Sequence, residues 1–445
     1  MKRILALAAL LLSVSSVSFA EDEYNCFGII AGKNVTKDGY VILAHNEDDG
    51  GDLMVNFYAG DKYLWQEIPG LEAADAFLNR HGVAIVSDSC PSREDAGELT
   101  DGGIFYNLRV QVAERARTAR EAVHIIGELV EKYGYKGSGR TYLVADSEEG
   151  WAVSVVMGKH WVAQRVPDDK VFLIPNYYVI DKVDLADSEN FAGCADLIEY
   201  AISRGWYNPA KDGEFSFRKA YAKPSTRKGA RNCVRHKVAI DFVCGGYASE
   251  NPDDHPFAVK PAKKLSAQDM MELLSKHIDA KLSPGSICCP TTVVSNVFQL
   301  RGNMPKEIGC VMWTALSHPC IEAYIPWYLG LRKAPRGWGR FTSAEDAMAA
   351  HLSDFKDIRR NYPNGNWWKY ADRWENAKDN LSEVEKSRQR LIRPFQKLMF
   401  KEQKAFEKTM LRKYCDGVLV NNPDALADDI LKHLENCYKQ YDLLD

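Results

Sequence analysis

The sequence predicts a layered α+β fold. Strand-like segments lie between Cys26 and Ser87, helical segments follow between Phe105 and Gly134, and strands return between Thr141 and Ile174. Strands, then helices, then strands favour packed α and β layers over a regular parallel β/α repeat. Apolar residues at helical spacing fill most of the chain after Ser343, so we expect a helical C-terminal region over residues 341–445.

Residues 1–20 have the pattern of a signal peptide. Lys2 and Arg3 form a basic start, Ile4 to Leu12 is continuously apolar, and Ser18-Phe19-Ala20 supplies the small residues that signal peptidase accepts. We expect cleavage near Ala20 and export to the periplasm or the extracellular space. The apolar core is too short to anchor the protein in a bilayer, and no later stretch is long enough, so no membrane anchor is expected.

Composition narrows the class of function. The formal net charge is −4 and both signs are interspersed, so the chain lacks the basic footprint of a nucleic-acid-binding protein. It has no C-x-x-C pair, H-E-x-x-H motif or His-rich tract, and we expect neither a metal site nor a cofactor. The sequence leaves a homo-oligomer open.

The chain contains eleven cysteines, an odd number. In an exported protein, ten could form up to five disulfides and leave one reactive thiol, but several could equally be buried free thiols. They are Cys26, Cys90, Cys194, Cys233, Cys244, Cys288, Cys289, Cys310, Cys320, Cys415 and Cys437.

Cys26 begins a predicted β-hairpin. Cys26 to Ala31 suits a buried strand, Thr36 to Gly39 supplies the turn, and Tyr40 to Ala44 suits the returning strand. The polar run His45 to Asp52 then follows at a strand end, close to the start of the hairpin. On spacing alone this run is either a solvated loop or a weak calcium site.

Other elements follow from turn signals and periodicity. Thr118-Ala119-Arg120-Glu121 is a capping box that opens a helix ending at Gly134, and Lys264 to Asp269 opens another that runs to about His277. Further strands are predicted at Met54–Tyr58, Lys62–Glu67, Val83–Ser87, Thr141–Ala145, Trp151–Met157, Trp161–Val166, Val171–Ile174, Thr291–Leu300 and Gly309–Leu316.

Short motifs occur in a fixed order between residues 26 and 330. They include Cys26, Gly32-Lys33, Asp38-Gly39, Asn46-Glu47-Asp48, Asn79, Gly82-Val83-Ala84, Gly103-Ile104, Leu108-Arg109, Glu114 to Ala122, Trp161 to Asp169, Ile174-Pro175-Asn176, Val259-Lys260-Pro261, Gln299-Leu300-Arg301 and Tyr324 to Gly330. Together they resemble the peptidase C69 dipeptidases, also called U34, which are N-terminal nucleophile (Ntn) hydrolases. The resemblance implies a four-layer αββα catalytic domain over residues 26–340.

The resemblance also implies that Cys26 becomes the first residue of the working enzyme. A pro-segment of residues 21–25 would be removed by cutting the bond between Asn25 and Cys26, most simply by attack of the thiol on its own preceding carbonyl. A thiol has a pKa near about 8.5 and an α-amine near about 8, so a new N-terminus places a suitable base beside the nucleophile. While Asn25 is attached, that nitrogen is an amide and cannot accept a proton.

Further roles are carried over from the family. Asp48 would hold the α-amine by a charge-assisted hydrogen bond, Asn176 would donate to the oxyanion, and Arg235 corresponds to a late site arginine, with Arg231 as the alternative. Many relatives have an arginine three residues before the aspartate, where this chain has His45. An imidazole lacks the fixed charge and five donors of arginine, so substrate binding at His45 would differ.

We therefore predict an exported cysteine dipeptidase that hydrolyses short peptides through a thioester acyl-enzyme. One alternative is an amidase on the same scaffold that cleaves a non-peptide acyl amide, such as a conjugated bile acid or a penicillin-like side chain. Another is a catalytically silent exported binding protein.

Overall fold

The computed structural model describes residues 26–49, 53–71, 76–246, 248–278, 286–351, 358–419 and 422–444. The predicted signal peptide (residues 1–20), the predicted pro-segment (residues 21–25) and hence Asn25 lie outside the described residues. Residues 50–52 also lie outside them, so the structure describes the polar run, for which the sequence left a solvated loop or a calcium site open, only as far as Asp49.

Two groups of strands build the centre of the molecule. In chain order they are β1 (Phe27–Ala31), β2 (Val41–Asp48), β3 (Asn56–Ala59), β4 (Tyr63–Glu67), β5 (Ala76–Asn79), β6 (Ala84–Ser89), β7 (Tyr135–Ala145), β8 (Gly150–Gly158), β9 (Trp161–Arg165), β10 (Val171–Ile174), β11 (Phe191–Gly193), β12 (Ala258–Val259), β13 (Thr292–Leu300), β14 (Cys310–Leu316) and β15 (Ile325–Tyr328).

Each group forms an antiparallel sheet. The seven-stranded sheet has the order β12-β10-β1-β2-β13-β14-β15, and the eight-stranded sheet has the order β11-β9-β8-β7-β6-β5-β4-β3. The predicted hairpin is confirmed, because Phe27 pairs with Asn46 and Ala31 with Ile42. This register places residue 26 beside the end of β2.

Helices cover the sheets and form most of the C-terminal region. They are α1 (Tyr106–Arg115), α2 (Ala119–Tyr133), α3 (Leu197–Ser203), α4 (Phe217–Tyr221), α5 (Pro224–Arg227), α6 (Ala230–Cys244), α7 (Ala267–Leu274), α8 (Lys306–Gly309), α9 (Ala344–His351), α10 (Ile358–Asn361), α11 (Trp367–Ala377), α12 (Leu381–Cys415) and α13 (Pro423–Asp442). Short 3₁₀ turns occur at Lys33–Val35, Pro252–Asp254 and Lys378–Asn380.

The two sheets face each other, with β1 and β2 packed against β6, β7 and β8. Helices α1 and α2 pack on the eight-stranded sheet, whereas α6 and α7 pack on the seven-stranded sheet. In the C-terminal region, α12 contacts α8 and α13, and α13 contacts β15. The expected four-layer αββα fold with a helical C-terminal extension is therefore confirmed.

Gly28 allows the sheets to approach closely near the start of β1. A Cβ atom at this position would lie 2.6 Å from Asp88 Oδ2 and 2.8 Å from Leu143 Cδ2. Both distances are shorter than van der Waals contact allows, so a larger residue would force the sheets apart. The smallest residue thus brings the Asp88 carboxylate up to the strand that follows Cys26.

Local signals predicted helix ends well. The Thr118 side chain accepts a hydrogen bond from Glu121 N at 3.1 Å, and Gly134 ends α2 with φ of 78°, as expected for a glycine stop. Ser266 and Asp269 form the capping box of α7. Helix α12 continues through Pro394 over 35 residues. Four short strands, β5, β11, β12 and β15, were not predicted as strands.

All eleven cysteines are free thiols. The sequence left disulfides and free thiols open as alternatives, and the structure shows a free thiol at every position. Separately, none of the helices among the described residues combines the length and apolar character needed to cross a bilayer.

Candidate active site

Cys26 lies at the start of β1 with 2% of its surface exposed. Its thiol donates a hydrogen bond to Glu47 Oε1 at 3.1 Å, and its Sγ lies 3.8 Å from the backbone oxygen of Asp48. Burial, followed by the charges of Glu47, Asp88 and Asp48, raises the pKa of the Cys26 thiol well above its ordinary value. The sulfur therefore needs a base before it can act as a nucleophile.

The strand β2 sends its polar side chains to two sides, because successive residues of a strand point to opposite faces. His45 and Glu47 face the eight-stranded sheet, where His45 meets Asp88. Asn46 points the other way and donates to the backbone oxygens of Leu274 at 2.9 Å and Ile287 at 3.0 Å. The strand β2 thus places Glu47 beside the thiol and is itself anchored to the helix layer through Asn46.

His45 and Asp88 form a buried ion pair between the sheets. His45 Nε2 lies 3.6 Å from Asp88 Oδ1, and both residues are at most 1% exposed. Burial alone would lower the pKa of His45, but the Asp88 carboxylate raises it above the ordinary value. Burial raises the pKa of Asp88 as well. This pair lies beside Cys26 and is a means of storing one proton near the thiol.

Glu47 and Asp48 are both buried carboxyl groups. Burial raises the pKa of Glu47 to about 7, although His45 and the Cys26 thiol oppose the shift. Burial also raises the pKa of Asp48 to about 7, opposed by the Thr292 side chain and the Arg235 guanidinium. Neither carboxylate oxygen of Asp48 has a hydrogen-bond partner among the described residues. Such groups exchange protons near neutral pH, a frequent property of active sites.

Arg235, on α6, binds the backbone of Cys26 and two asparagine side chains. Its guanidinium donates to Cys26 O at 3.2 Å, to Asn176 Oδ1 at 2.7 Å and to Asn232 Oδ1 at 2.7 Å. Asn176 Nδ2 in turn donates to Ser89 O at 3.0 Å. An amide nitrogen carries two N–H groups, so the Asn176 side chain is fixed at its oxygen and at one N–H. Its remaining N–H is a preorganised donor.

The structure brings together four residues that the sequence singled out: Cys26, Asp48, Asn176 and Arg235. Arg231 lies one turn earlier on α6 and is partly exposed, whereas Arg235 is buried and reaches Cys26.

His45 lies in the interior against Asp88, so it contacts the buried cluster and not a surface for substrate.

Sequence reasoning missed Glu47 and Asp88 as site residues. Glu47 stands inside the quoted Asn46-Glu47-Asp48 motif, and the predicted hairpin would have placed it opposite residue 26. No local signal marked Asp88, which reaches the site from β6 of the other sheet.

Two clusters of ligand-type atoms lie at or near the eight-stranded sheet. The atoms offered by Cys26, His45 and Asp88 all lie within 4.8 Å of one another, and the same holds for His160, Cys194 and Asp196. A thiol, an imidazole and a carboxylate are donors that soft divalent metals accept. In the first cluster a metal ion would bind the Cys26 sulfur, so it would compete with any chemistry of that thiol.

A cavity of about 310 Å³ opens next to the end of β2. Asp49 and Thr292 line its inner side, and Trp367 and Trp374 of α11 line its outer side. This size falls at the lower end of the range of about 300–1,000 Å³ that is usual for small-molecule pockets. The C-terminal region therefore contributes a wall to the space beside Asp48.

Comparisons with known proteins give consistent results. The model of peptidase family C69 matches residues 97–351, which is more than half of the chain and begins downstream of Cys26. Probable dipeptidase B of Streptococcus pyogenes serotype M1 is 26% identical over 373 residues, covering 72% of this chain and 73% of the relative. Dipeptidase A of Lactobacillus helveticus is 27% identical over 368 residues, covering 70% and 77%.

Among solved structures, penicillin V acylase from Agrobacterium tumefaciens aligns with a TM-score of 0.38 and 12% identity, over 68% of this chain and 86% of that chain.

Proposed function

The chain belongs to peptidase family C69, and from this premise we propose that it is an exported cysteine dipeptidase of the N-terminal nucleophile type. The observation that carries the proposal is the setting of Cys26 at the head of β1. Its thiol contacts the Glu47 carboxyl group and its carbonyl is held by Arg235. A nucleophile, a proton acceptor and a fixed backbone are thus combined at one strand end.

Maturation begins with the thiol of Cys26 attacking the carbonyl carbon of Asn25. The thiol proton passes to Glu47 while the carbon–sulfur bond forms. The carbon–nitrogen bond to Cys26 then breaks, and the nitrogen leaves as an amine that takes the proton back. Water hydrolyses the resulting thioester, which releases the pro-segment as a carboxylic acid and restores the thiol.

Glu47 is the base for this first reaction, because the α-amine does not yet exist. The distance of 3.1 Å from Sγ to Oε1 lies within reach of direct proton transfer. A pKa of about 7 means that much of Glu47 is ionised at neutral pH, yet it remains basic enough to accept a proton. Asp48, although also buried, meets the sulfur only through its backbone oxygen.

After maturation, the freed α-amine of Cys26 takes over as the base. Asp48, whose buried carboxylate oxygens have no hydrogen-bond partner among the described residues, is the group proposed to hold that amine. Asn176 donates its remaining N–H to the oxyanion of the tetrahedral intermediate. As the intermediate collapses, the peptide carbon–nitrogen bond breaks and the amine product leaves with the proton held by the α-amine, while the acyl group stays on Cys26 as a thioester. Water then hydrolyses this thioester, which releases the acid product and restores the thiol.

The proposed substrates are short peptides. Two curated relatives are named dipeptidases, and the cavity beside Asp48 is small and bordered by tryptophan side chains. Because His45 is buried against Asp88, recognition of the substrate carboxylate is assigned to residues around this cavity and not to His45.

The test combines intact mass with a substrate panel. The purified mature protein is expected to begin at Cys26 and to hydrolyse dipeptides faster than acyl-amino acids, conjugated bile acids or penicillin V. A panel in which the acyl amides are the better substrates would replace the dipeptidase by the amidase alternative.

A protein that still carries Asn25, and whose ligand binding is unaffected by alkylation of Cys26, would support the silent binding protein instead. Fully active protein that begins at Glu21 would overturn the N-terminal nucleophile mechanism itself.

A further inference from the structure

Three metal-ligating side chains meet outside the candidate active site. The ligand atoms of His277, Cys288 and Cys320 all lie within 4.8 Å of one another. The Cys288 thiol interacts directly with both the Cys320 thiol and the His277 ring. Both sulfurs belong to fully buried residues, and His277 is largely buried. Three donors from three separate segments therefore converge on one point.

The segments that carry these donors are held in place by backbone contacts. His277 follows α7, and Cys288 N donates to Lys276 O at 3.1 Å just before it. Cys320 O accepts a hydrogen bond from Gln389 Nε2 of α12 at 2.6 Å. The donors are thus positioned by the fold, so little rearrangement is needed to bring them onto one ion.

A carboxylate stands behind the imidazole. Glu385 Oε2 lies 3.5 Å from His277 Nδ1. Histidines that bind metals usually have their other ring nitrogen oriented by a carboxylate, which fixes the ring and raises its basicity. His277 and Glu385 both line a cavity of about 670 Å³ between α7 and α12. This cavity supplies a route for an ion and a water molecule to reach the cluster.

We propose that His277, Cys288 and Cys320 bind one soft divalent metal ion of the zinc class. Two thiolates and an imidazole form a donor set that zinc favours, and water from the cavity completes a tetrahedron. The ion ties the end of α7 to the segment before β13 and to the loop after β14. Cys289, on that same segment, and Thr292, the first residue of β13, both border Asp48. The metal therefore stiffens the strand end on which the candidate active site rests.

The experiment uses the full chain with Cys26→Ala, which removes the sulfur of the Cys26–His45–Asp88 cluster. The reduced, metal-stripped protein is titrated with Zn²⁺ and, separately, with Co²⁺. We expect one equivalent of zinc, a higher midpoint of thermal unfolding with zinc, and the intense visible and thiolate charge-transfer absorption of tetrahedral cobalt. Adding Cys288→Ser, Cys320→Ser or His277→Ala should each abolish the cobalt absorption.

Matched controls separate this site from other sulfur–nitrogen contacts. Cys437 lies 3.8 Å from His433 Nε2, and Cys194 belongs to the His160 cluster. Cys437→Ser and Cys194→Ser should leave the cobalt spectrum unchanged. His277→Ala keeps both thiols, so it tests the site even if the serine variants fold poorly.

Two results would overturn the proposal. One is zinc binding far below one equivalent in the folded protein. The other is a non-reduced peptide map in which Cys288 and Cys320 are joined as a disulfide in freshly purified protein that then takes up no cobalt. Neither result bears on the proposed peptidase activity, which is measured separately.

Discussion

Buried carboxylates occur in two contrasting settings in this molecule. At the end of β2, Glu47 accepts a hydrogen bond from the Cys26 thiol, and the carboxylate of Asp48 has no hydrogen-bond partner among the described residues. Where α12 meets the end of β13, Glu407 instead receives two hydrogen bonds from Arg301, at 2.8 and 2.6 Å. Glu67 is similarly held by Arg340 at 2.6 and 3.3 Å.

The contrast indicates two different uses of a buried carboxylate: one cross-links elements of the fold, and the other can accept or release a proton. A bidentate arginine gives a buried carboxylate two charge-assisted hydrogen bonds and fixes its geometry, which suits a cross-link between elements. A buried carboxylate that lacks such a partner takes up a proton more readily, as the pKa values of about 7 for Glu47 and Asp48 show. Among the described residues, the candidate site therefore has positive charges near Glu47 and Asp48 but no arginine that binds either carboxylate with two hydrogen bonds.

The largest expected effect is that of Cys26→Ala. It removes the proposed nucleophile, so both release of the N-terminal segment and dipeptide hydrolysis should fall by a factor of at least about 10⁴. Cys310→Ala is the matched control, since Cys310 begins β14 in the same sheet and is equally buried at 2% exposure. Intact mass and a dipeptide assay give the two readouts. Turnover that survives in Cys26→Ala would end the assignment.

Next in size is Glu407→Ala, at the arginine-paired side. Leaving Arg301 buried without its partner should lower the free energy of unfolding by about 3–5 kcal/mol, measured by denaturant titration. Activity per folded molecule should be unchanged. The double variant Arg301→Met with Glu407→Met should recover most of the lost stability, because apolar replacement of a buried pair is often neutral. A large loss of activity in the folded double variant would contradict the view that this ion pair serves the fold alone.

Glu47→Gln should slow maturation by about 10²-fold, since it removes the proposed general base. The carboxylate form is populated above its pKa of about 7, so the rate of segment release in the unaltered chain should rise as pH increases through that value. In Glu47→Gln this rise should be absent. Release is followed by intact mass after a jump from acid pH. The control is Glu322→Gln, another buried glutamate with a raised pKa but remote from Cys26.

The smallest effect is on stability and comes from Asp48. Its folded pKa of about 7 lies above the unfolded value of about 3.9, so the folded state binds more protons between these values, and stability falls as pH rises from about 4 to about 7. In the unprocessed Cys26→Ala chain, adding Asp48→Asn should reduce that fall by about 1–3 kcal/mol. Denaturant titrations at pH 4 and pH 8 measure it. Identical pH profiles for the two proteins would show that folding does not raise the pKa of Asp48.

Much of the fold was predictable because its signals are local. The hairpin of β1 and β2 follows from an apolar run, a turn and a second apolar run, and α2 follows from its Thr118 cap and its Gly134 stop. The same helical spacing predicted the C-terminal helices but not which of their apolar residues are buried. Phe395 and Met399 are buried, but Leu391 and Leu398 are 42% and 40% exposed. Helical spacing could not anticipate that α12 would instead bury polar side chains such as Glu407.

The candidate site was predictable where a family motif marked it and not where contacts are long-range. Arg235 meets Cys26 across 209 positions of chain, and only the resemblance connected them. Asp88 carries no motif and enters from the second sheet, so nothing local identifies it. The same limit applies to His277, Cys288 and Cys320. Their spacing matches none of the sequence patterns for metal sites, and for that reason the sequence led us to expect no metal.

The alternation along β2 has a consequence for how this chain can change. Near its end, Glu47 faces the Cys26 thiol, whereas the preceding residue Asn46 faces the other way and donates a hydrogen bond to the backbone of the helix layer. Loss or gain of one residue inside the strand would turn these side chains to the opposite faces of the sheet. Insertions of two residues would preserve the phase. Variation in length should therefore be tolerated in the turn ahead of Tyr40 and selected against between Val41 and Asp48.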